Sequence, residues 1–337
     1  IIYPIHNLSI LKASFSSNSM ILSRRTILNY LYATGLSSIA TPGLANISFQ
    51  NNIHLQNFFK FSIGNIKITV VSDGSFTLPL SAVSINAPEE EIKKHLRKYH
   101  MPDDSIHRET NLVVIDVGDK RLLVDVGSGS RFIGNTGRLF DNLALAEIEP
   151  DSITHVFLTH AHPDHVLGIR DDFDEPILPN AEFIMSQNEY EWWTKKNRIN
   201  EVEDTFQQMV LYAVNSLGAL SEITLHDKEK EILPGVNMVD TSGHSPGHTS
   251  LLVQSQSSKL LICGDSLQSP NISLVYPDWT PDTDMDPIKA INTRKEVLSL
   301  LTNEKMALLA FHFPFPGVGH VIPSNGSYQF LPQTIKW

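Results

Sequence analysis

Thr154-His155-Val156-Phe157-Leu158-Thr159-His160-Ala161-His162-Pro163-Asp164-His165 is the stretch on which the reading of this chain turns. It begins as a short strand-like apolar run and ends in three histidines and one carboxylate within six residues. Imidazole nitrogen and carboxylate oxygen are ligands for borderline divalent ions such as zinc. Packing four such groups onto one turn crowds and desolvates them, and a bound cation offsets that cost. They cannot all meet one ion with good geometry. The segment therefore predicts two adjacent ions and further ligands from distant loops.

Three later positions repeat the pattern of a strand delivering a ligand at its C-terminal end. His244 lies in Asp240-Thr241-Ser242-Gly243-His244-Ser245-Pro246-Gly247-His248, where a strand runs into glycine and proline turns. Asp265 ends Lys259-Leu260-Leu261-Ile262-Cys263-Gly264-Asp265, and His312 follows the apolar run Met306 to Phe311. With His160, His162, Asp164 and His165 they make a complete candidate ligand set. His248 and His320 are read as loop or supporting residues, and Cys263 as a buried cysteine with no catalytic role.

The rest of the chain supplies a frame for such a site. Its 337 residues are 41% hydrophobic and 19% charged, as in an ordinary globular enzyme. Net charge is −11, and no basic stripe marks a nucleic-acid partner. The single cysteine cannot form an intramolecular disulfide. Lys67 to Ser72, Leu112 to Asp116 and Arg121 to Asp125 read as strands bounded by Gly, Asp or Pro. Short apolar runs at 154–159, 182–185, 236–240, 250–254 and 259–263 read likewise. Pro88 to Tyr99, Thr136 to Leu145, Gln187 to Lys195 and Asp204 to Leu217 read as helices. Strands first, then strands mixed with helices, imply a layered α/β architecture, and nothing marks a second folded domain.

Before that frame, Ser23-Arg24-Arg25-Thr26-Ile27-Leu28 precedes an uncharged, mostly apolar run ending near Gly43-Leu44-Ala45. This order predicts a twin-arginine signal peptide over residues 20–45, with 1–19 an upstream segment and 46–59 a linker. The run is only moderately hydrophobic and shorter than the ~20 apolar residues a spanning helix needs, which argues against a stable membrane anchor. The expected location is periplasmic or secreted.

The motifs resemble those of the metallo-β-lactamase superfamily, in order: Asp125 in Leu123-Val124-Asp125-Val126-Gly127, the His160 to His165 cluster, His244, Asp265 and His312. The resemblance covers about residue 60 to the end. It implies a four-layer αββα sandwich for residues 60–337, with the metal site at the edge between two sheets. It further implies that His160, His162 and His244 hold one ion, that Asp164, His165 and His312 hold the other, and that Asp265 bridges them. Asp125 would stand behind a ligand histidine and fix its orientation.

Within that superfamily the chain is similar to the methyl parathion hydrolase group and its lactonase relatives. The residues that carry this are Ser72-Asp73-Gly74-Ser75-Phe76-Thr77-Leu78-Pro79, Pro234-Gly235, the run from His312 to His320, and Tyr328-Gln329-Phe330-Leu331-Pro332. Ser242 departs from the proline common before Gly-His. Gln268 departs from the tyrosine that assists the substrate carbonyl in many acyl-homoserine lactonases. The implied chemistry is dinuclear, most simply with zinc: a hydroxide shared by two ions attacks a small ester, lactone or phosphotriester, with Asp164 and Asp265 the catalytic carboxylates. Phe132, Trp193 and Phe206 are candidate walls of the substrate pocket. Two alternatives use the same residues, a mononuclear iron centre oxidising a thiol or persulfide and a non-catalytic metal-binding protein. Retention of Asp164, His165 and His312 favours a filled second site over the first, and the seven competent side chains argue against the second. Homodimerisation stays open on sequence grounds.

Overall fold

Ile68 and Val70 of β2 (Ile66–Pro79), Val113 and Ile115 of β3 (Ser105–Val117) and Leu122 and Val124 of β4 (Lys120–Val124) enter one buried cluster. Their neighbours Val71, Leu112, Val114 and Leu123 enter another. Successive side chains on a strand point to opposite faces, so a strand buried on both faces reads as an unbroken apolar run. That is why these segments lack the polar alternation of a half-exposed sheet.

The computed structural model describes residues 57–227 and 229–333. The expected upstream segment 1–19, signal peptide 20–45 and most of the linker lie outside them. The linker was expected to reach residue 59, but β1 (Phe58–Ile63) already includes Phe58 and Phe59 and pairs with β2. Strands β1 to β4, β5 (His155–Leu158), β6 (Glu182–Ser186) and β7 (Thr224–His226) form a seven-stranded sheet in chain order, antiparallel as far as β4 and parallel from there. A second seven-stranded sheet holds β8 (Glu231–Leu233), β9 (Val236–Asp240), β10 (Thr249–Ser255), β11 (Ser258–Ile262), β12 (Ala307–Leu309), β13 (Val318–Ser324) and β14 (Ser327–Pro332), also in chain order. Its β11 and β12 are parallel.

The sheets meet through the first cluster, to which the second sheet adds Val236, Met238, Leu251, Val253, Leu260, Ile262 and Leu309. Helices cover the outer faces. α1 (Glu89–Lys98) has acidic residues in its first turn and basic ones in its last, which suits the helix dipole, and buries Ile92 and Leu96. α2 (Leu139–Leu145), the single turn α3 (Pro163–Val166), α4 (Gln187–Thr194) and α5 (Asp204–Leu217) pack on the first sheet. α6 (Pro287–Asn303) packs Val297, Leu298 and Leu301 on the second. The layers are αββα. The sequence reading passed over α6, although Asp286 caps it through the Lys289 N–H, Pro287 opens it, and buried Ala290, Arg294, Val297, Leu298 and Leu301 follow helical spacing. Among the described residues no helix is long and apolar enough to cross a membrane.

Candidate metal centre

Strands β4, β5, β9, β11 and β12 run out into the loops that carry Asp125, His160 to His165, His244, Asp265 and His312. All seven predicted ligands converge there, each at most 7% exposed. His162 Nδ1 lies 3.1 Å from His160 Nε2 and 3.0 Å from His244 Nε2. Asp164 Oδ2 lies 3.3 Å from His312 Nε2 and 3.6 Å from His165 Nε2. Asp265 stands between the groups, with Oδ1 3.3 Å from His165 Nε2, and Oδ2 3.1 Å from His312 Nε2 and 3.5 Å from His244 Nε2.

Three of the histidines are turned by what their outer ring nitrogens meet. His165 Nδ1 donates to Asp125 Oδ2 at 2.8 Å, His244 Nδ1 to Asp284 Oδ1 at 2.9 Å, and His312 Nδ1 to the Glu109 carbonyl at 2.8 Å. Donation through Nδ1 leaves the Nε2 lone pair facing the centre. Asp125 reaches its position from a left-handed backbone, φ 59°, and also accepts the Thr159 N–H at 2.7 Å. His248 accepts the Asp265 N–H on Nε2 at 2.9 Å, and its other nitrogen meets Thr241 Oγ1 at 2.8 Å. Gly264 permits this: it has φ +51°, and a Cβ there would lie 2.6 Å from His248 Nε2.

The electrostatics fit two divalent ions. Burial, followed by the charges of neighbouring histidines, holds His160 and His162 well below the ordinary histidine pKa, so their lone pairs are free. His162 Nδ1, 3.1 Å from His160 Nε2 and 3.0 Å from His244 Nε2, crowds them unless a cation lies between. Among the described residues, His165 Nε2 and Asp265 Oδ1, both aimed inward, have no hydrogen-bond partner. Burial opposes charge on His312 too, but the carboxylates of Asp265 and Asp164 overcome it and raise its pKa to about 9. Three overlapping groups can hold an ion: His160, His162 and His244; His160, His165 and Asp265; and Asp164, His165 and His312.

A cavity of ≈ 90 Å³ opens onto the ligands His162, Asp164, His244, Asp265 and His312. Phe132 is in its wall with Phe76, Leu78 and Met209. The other two expected wall residues are placed differently. Trp193 is fully buried in the outer core, donates its indole N–H to Glu189 at 2.7 Å and meets the His162 ring edge-on at 5.6 Å, so it packs behind a ligand. Phe206 begins α5 half-buried, and Met209, nearly one turn on, takes the wall position. Ser242 is tied down, its N–H bonded to Asp240 Oδ1 at 3.0 Å and its carbonyl accepting from Thr293 Oγ1 at 2.7 Å. Cys263 is buried where β11 has already ended, and desolvation pushes its thiol up to about 12. His320 is exposed on β13, outside the cavity.

Three buried residues escaped the sequence reading. Asp284, which orients His244, is itself held by Arg294 at 2.8 Å. Arg108 lies in the cavity wall. Glu189 accepts from the Ala161 N–H at 3.1 Å, Trp193 Nε1 at 2.7 Å, Ser245 Oγ at 2.8 Å and the Gly247 N–H at 2.7 Å, so it clasps the two loops that carry His160, His162 and His244. None lies within a local metal motif. A helical carboxylate such as Glu189 looks like a solvated charge until tertiary packing buries it.

The metallo-beta-lactamase superfamily model matches residues 107–312, which span every ligand named above. The chain belongs to this superfamily. It is 23% identical over 242 residues to the N-acyl homoserine lactonase AiiA of Bacillus thuringiensis subsp. kurstaki, covering 66% of this chain and 85% of that protein. Among solved structures it resembles AidC, a dizinc quorum-quenching lactonase in complex with a product, N-hexnoyl-L-homoserine. That match has a TM-score of 0.78 and 26% identity over 83% of this chain and 98% of that one. The hydrolase AbOPH gives 0.77 and 25%, over 84% and 99%. With the superfamily and the ligand geometry together, this chain is a metal-dependent hydrolase with a centre for two divalent ions.

Proposed function

We propose that this hydrolase opens small lactones or related esters and that its two ions are zinc. The observation that carries the reading is the two ligand groups with Asp265 between them, its Oδ2 3.5 Å from His244 Nε2 and 3.1 Å from His312 Nε2, on the wall of a small, largely apolar cavity. The lactonase relatives support the bond type, and ≈ 90 Å³ suits a small ring or acyl carbonyl. When bound, two zinc ions supply hydroxide near neutral pH and polarise the acyl oxygen.

The side chains do the rest. His160, His162 and His244 would hold one ion and Asp164, His165 and His312 the other, with Asp265 close to ligands of both groups. Phe76, Phe132 and Met209 bring the apolar part of the substrate to the centre and exclude water around it. Asp164, which faces the cavity, is placed to pass a proton to the departing alkoxide. The net reaction adds water across the acyl C–O bond, giving a hydroxy acid from a lactone.

The test is elemental analysis of the purified chain beside assays of lactones, simple esters and phosphotriesters. Two zinc ions per chain with lactone or ester turnover is the expected result. Two ions with turnover of phosphotriesters alone would move the substrate class, and a single iron with oxygen consumption would overturn the mechanism. For residues 20–45 we propose export by the twin-arginine route, tested by fractionation of a strain expressing the chain and its Arg24→Lys, Arg25→Lys variant. Equal export of both would refute it.

A further inference from the structure

One carboxylate holds the segment that carries Phe132 from behind. Between Ser130 and Arg138 only Phe132 and Thr136 are half-buried and the other residues are exposed, so the segment has little core of its own. Arg131 pairs with Asp174 at 2.6 Å out at the surface, where an ion pair contributes little. Asp73, by contrast, is fully buried at a bulge in β2: Ser72 pairs with Asn111 and Gly74 with the adjacent Thr110, so Asp73 has no partner on β3. A bulge re-aims the extra side chain. Asp73 Oδ2 accepts the Ser128 N–H at 2.9 Å and the Gly137 N–H at 3.2 Å, and Oδ1 accepts the Leu139 N–H at 2.9 Å. Both ends of the segment thus meet on one side chain. Gly127 leaves the room for it, with φ +72° and a position where a Cβ would lie 2.6 Å from Asp73 Oδ2. Among the described residues no cation pairs with Asp73. Burial pushes its carboxyl up to about 6 against the pull of the backbone N–H groups, so at neutral pH it is ionised and both oxygens accept. What this buried charge holds in place is Phe132, whose ring meets Phe76 edge-on at 5.2 Å, while Phe76 meets the His312 ring edge-on at 5.7 Å.

We propose that Asp73 is a positioning residue for substrate choice: by closing the 128–139 segment with its carboxylate it seats Phe132 against Phe76, and so sets how bulky an acyl group the cavity admits. This rests on the hydrolase reading above and adds a device for specificity to it. Asp73 is not in the cavity wall and acts through Phe132, which is. A wall held in place rejects a bulky substrate sterically. A wall free to swing admits it, but packs less well on a small one. The consequence lies in KM and in the preference for small over bulky substrates more than in kcat, because the metal ligands are untouched.

The test compares the parent with Asp73→Asn, Gly137→Ala, Phe132→Ala and the double variant Asp73→Asn, Phe132→Ala, all zinc-loaded. Asp73→Asn keeps the volume but has one acceptor oxygen. With that oxygen toward Ser128 and Gly137, its NH₂ faces the Leu139 N–H, donor against donor, and the flipped amide frees Ser128 and Gly137 instead. Gly137→Ala strains the same closure without touching Asp73, since Gly137 has φ +82° and a Cβ there would lie 2.3 Å from the Gly129 carbonyl oxygen; it guards against an Asp73→Asn that fails to fold. The readouts are zinc per chain, kcat and KM separately on a small lactone and on one with a branched acyl group, calorimetric affinity for the two hydroxy-acid products, and amide hydrogen exchange over residues 128–139. The parent should protect the Gly137 and Leu139 N–H groups, although Gly137 is exposed. Asp73→Asn should keep two zinc ions, exchange faster over this segment, and lose on the order of 10-fold in preference for the small lactone, mainly through KM. Gly137→Ala and Phe132→Ala should shift the preference the same way, and the double variant little further, because Asp73 acts through Phe132. An unchanged preference in either folded closure variant would overturn the proposal, as would a shift in Asp73→Asn that adds in full to that of Phe132→Ala, or fast exchange of Gly137 and Leu139 in the parent. Zinc loss in Asp73→Asn would also overturn it, making the residue a support for Asp125 through Gly127. If the parent, with two zinc ions, turns over no lactone or ester, the hydrolase reading has failed instead, and the two product affinities still report on the wall.

Discussion

Glu189→Gln tests whether the two ligand loops are held by one buried carboxylate. The four donors that converge on Glu189 need four acceptor positions, and a carboxylate supplies them. A carboxamide supplies an oxygen for only two. The better orientation keeps the oxygen on Ala161 and Trp193 and turns the NH₂ toward Ser245, whose hydroxyl can rotate to accept. The Gly247 N–H then loses its acceptor and faces another donor. A buried donor left unpaired costs about 1–3 kcal/mol, and losing charge-assisted bonds adds to this. Neutralising the side chain gives part of it back, since burial raises the Glu189 pKa and disfavours the charged form. The net is a destabilisation of roughly 2–4 kcal/mol. At roughly 2–4 °C per kcal/mol, the thermal midpoint should fall by about 5–15 °C. Because the strained loops carry His160, His162 and His244, affinity for one ion should also fall, on the order of 10–100-fold. Thermal denaturation of metal-free and zinc-loaded protein, with competitive chelator titration, measures both effects. A midpoint unchanged within a degree, with unchanged zinc affinity, would refute the reasoning.

Asp284→Asn leaves the shape of the His244 support but removes its charge, so zinc affinity should drop about tenfold in the chelator titration while the fold persists. Acidification should empty the two positions unequally. His312, with its pKa raised to about 9, holds a proton at neutral pH without metal, so zinc must displace it and binding to the Asp164, His165 and His312 group weakens as pH falls. His160 and His162 are already neutral, so their group should keep its ion to lower pH, and zinc content measured at pH 6, 7 and 8 reads the difference. The sign reverses for the stability of the metal-free chain: the raised His312 pKa contributes stability below about pH 6.5 that is lost as pH rises through about 9, visible in its thermal midpoints. Cys263 should resist alkylation at pH 8 in the folded protein and react after unfolding, as mass spectrometry would show.

Much of the fold and nearly all of the metal centre were legible in the sequence because their signals are local. Three histidines and an aspartate on one turn declare a metal, and the apolar runs before His160, Asp265 and His312 are strands because both their faces are buried. The αββα layering followed from the same runs and the family motifs. Residues whose meaning comes from what packs against them were not legible. Asp284 orients His244 across 40 positions of chain, and Glu189 joins loops 28 and 58 positions away. Arg108 reaches Gln268 across 160 positions and decides which end of that amide faces the cavity. Trp193 looked like a pocket wall, yet its ring is in the core, because helix position alone does not say which face is inward. The sequence by itself determined which atoms can bind the metals. Tertiary structure decided how those atoms are aimed, because orientation comes from hydrogen bonds between segments that only folding brings together.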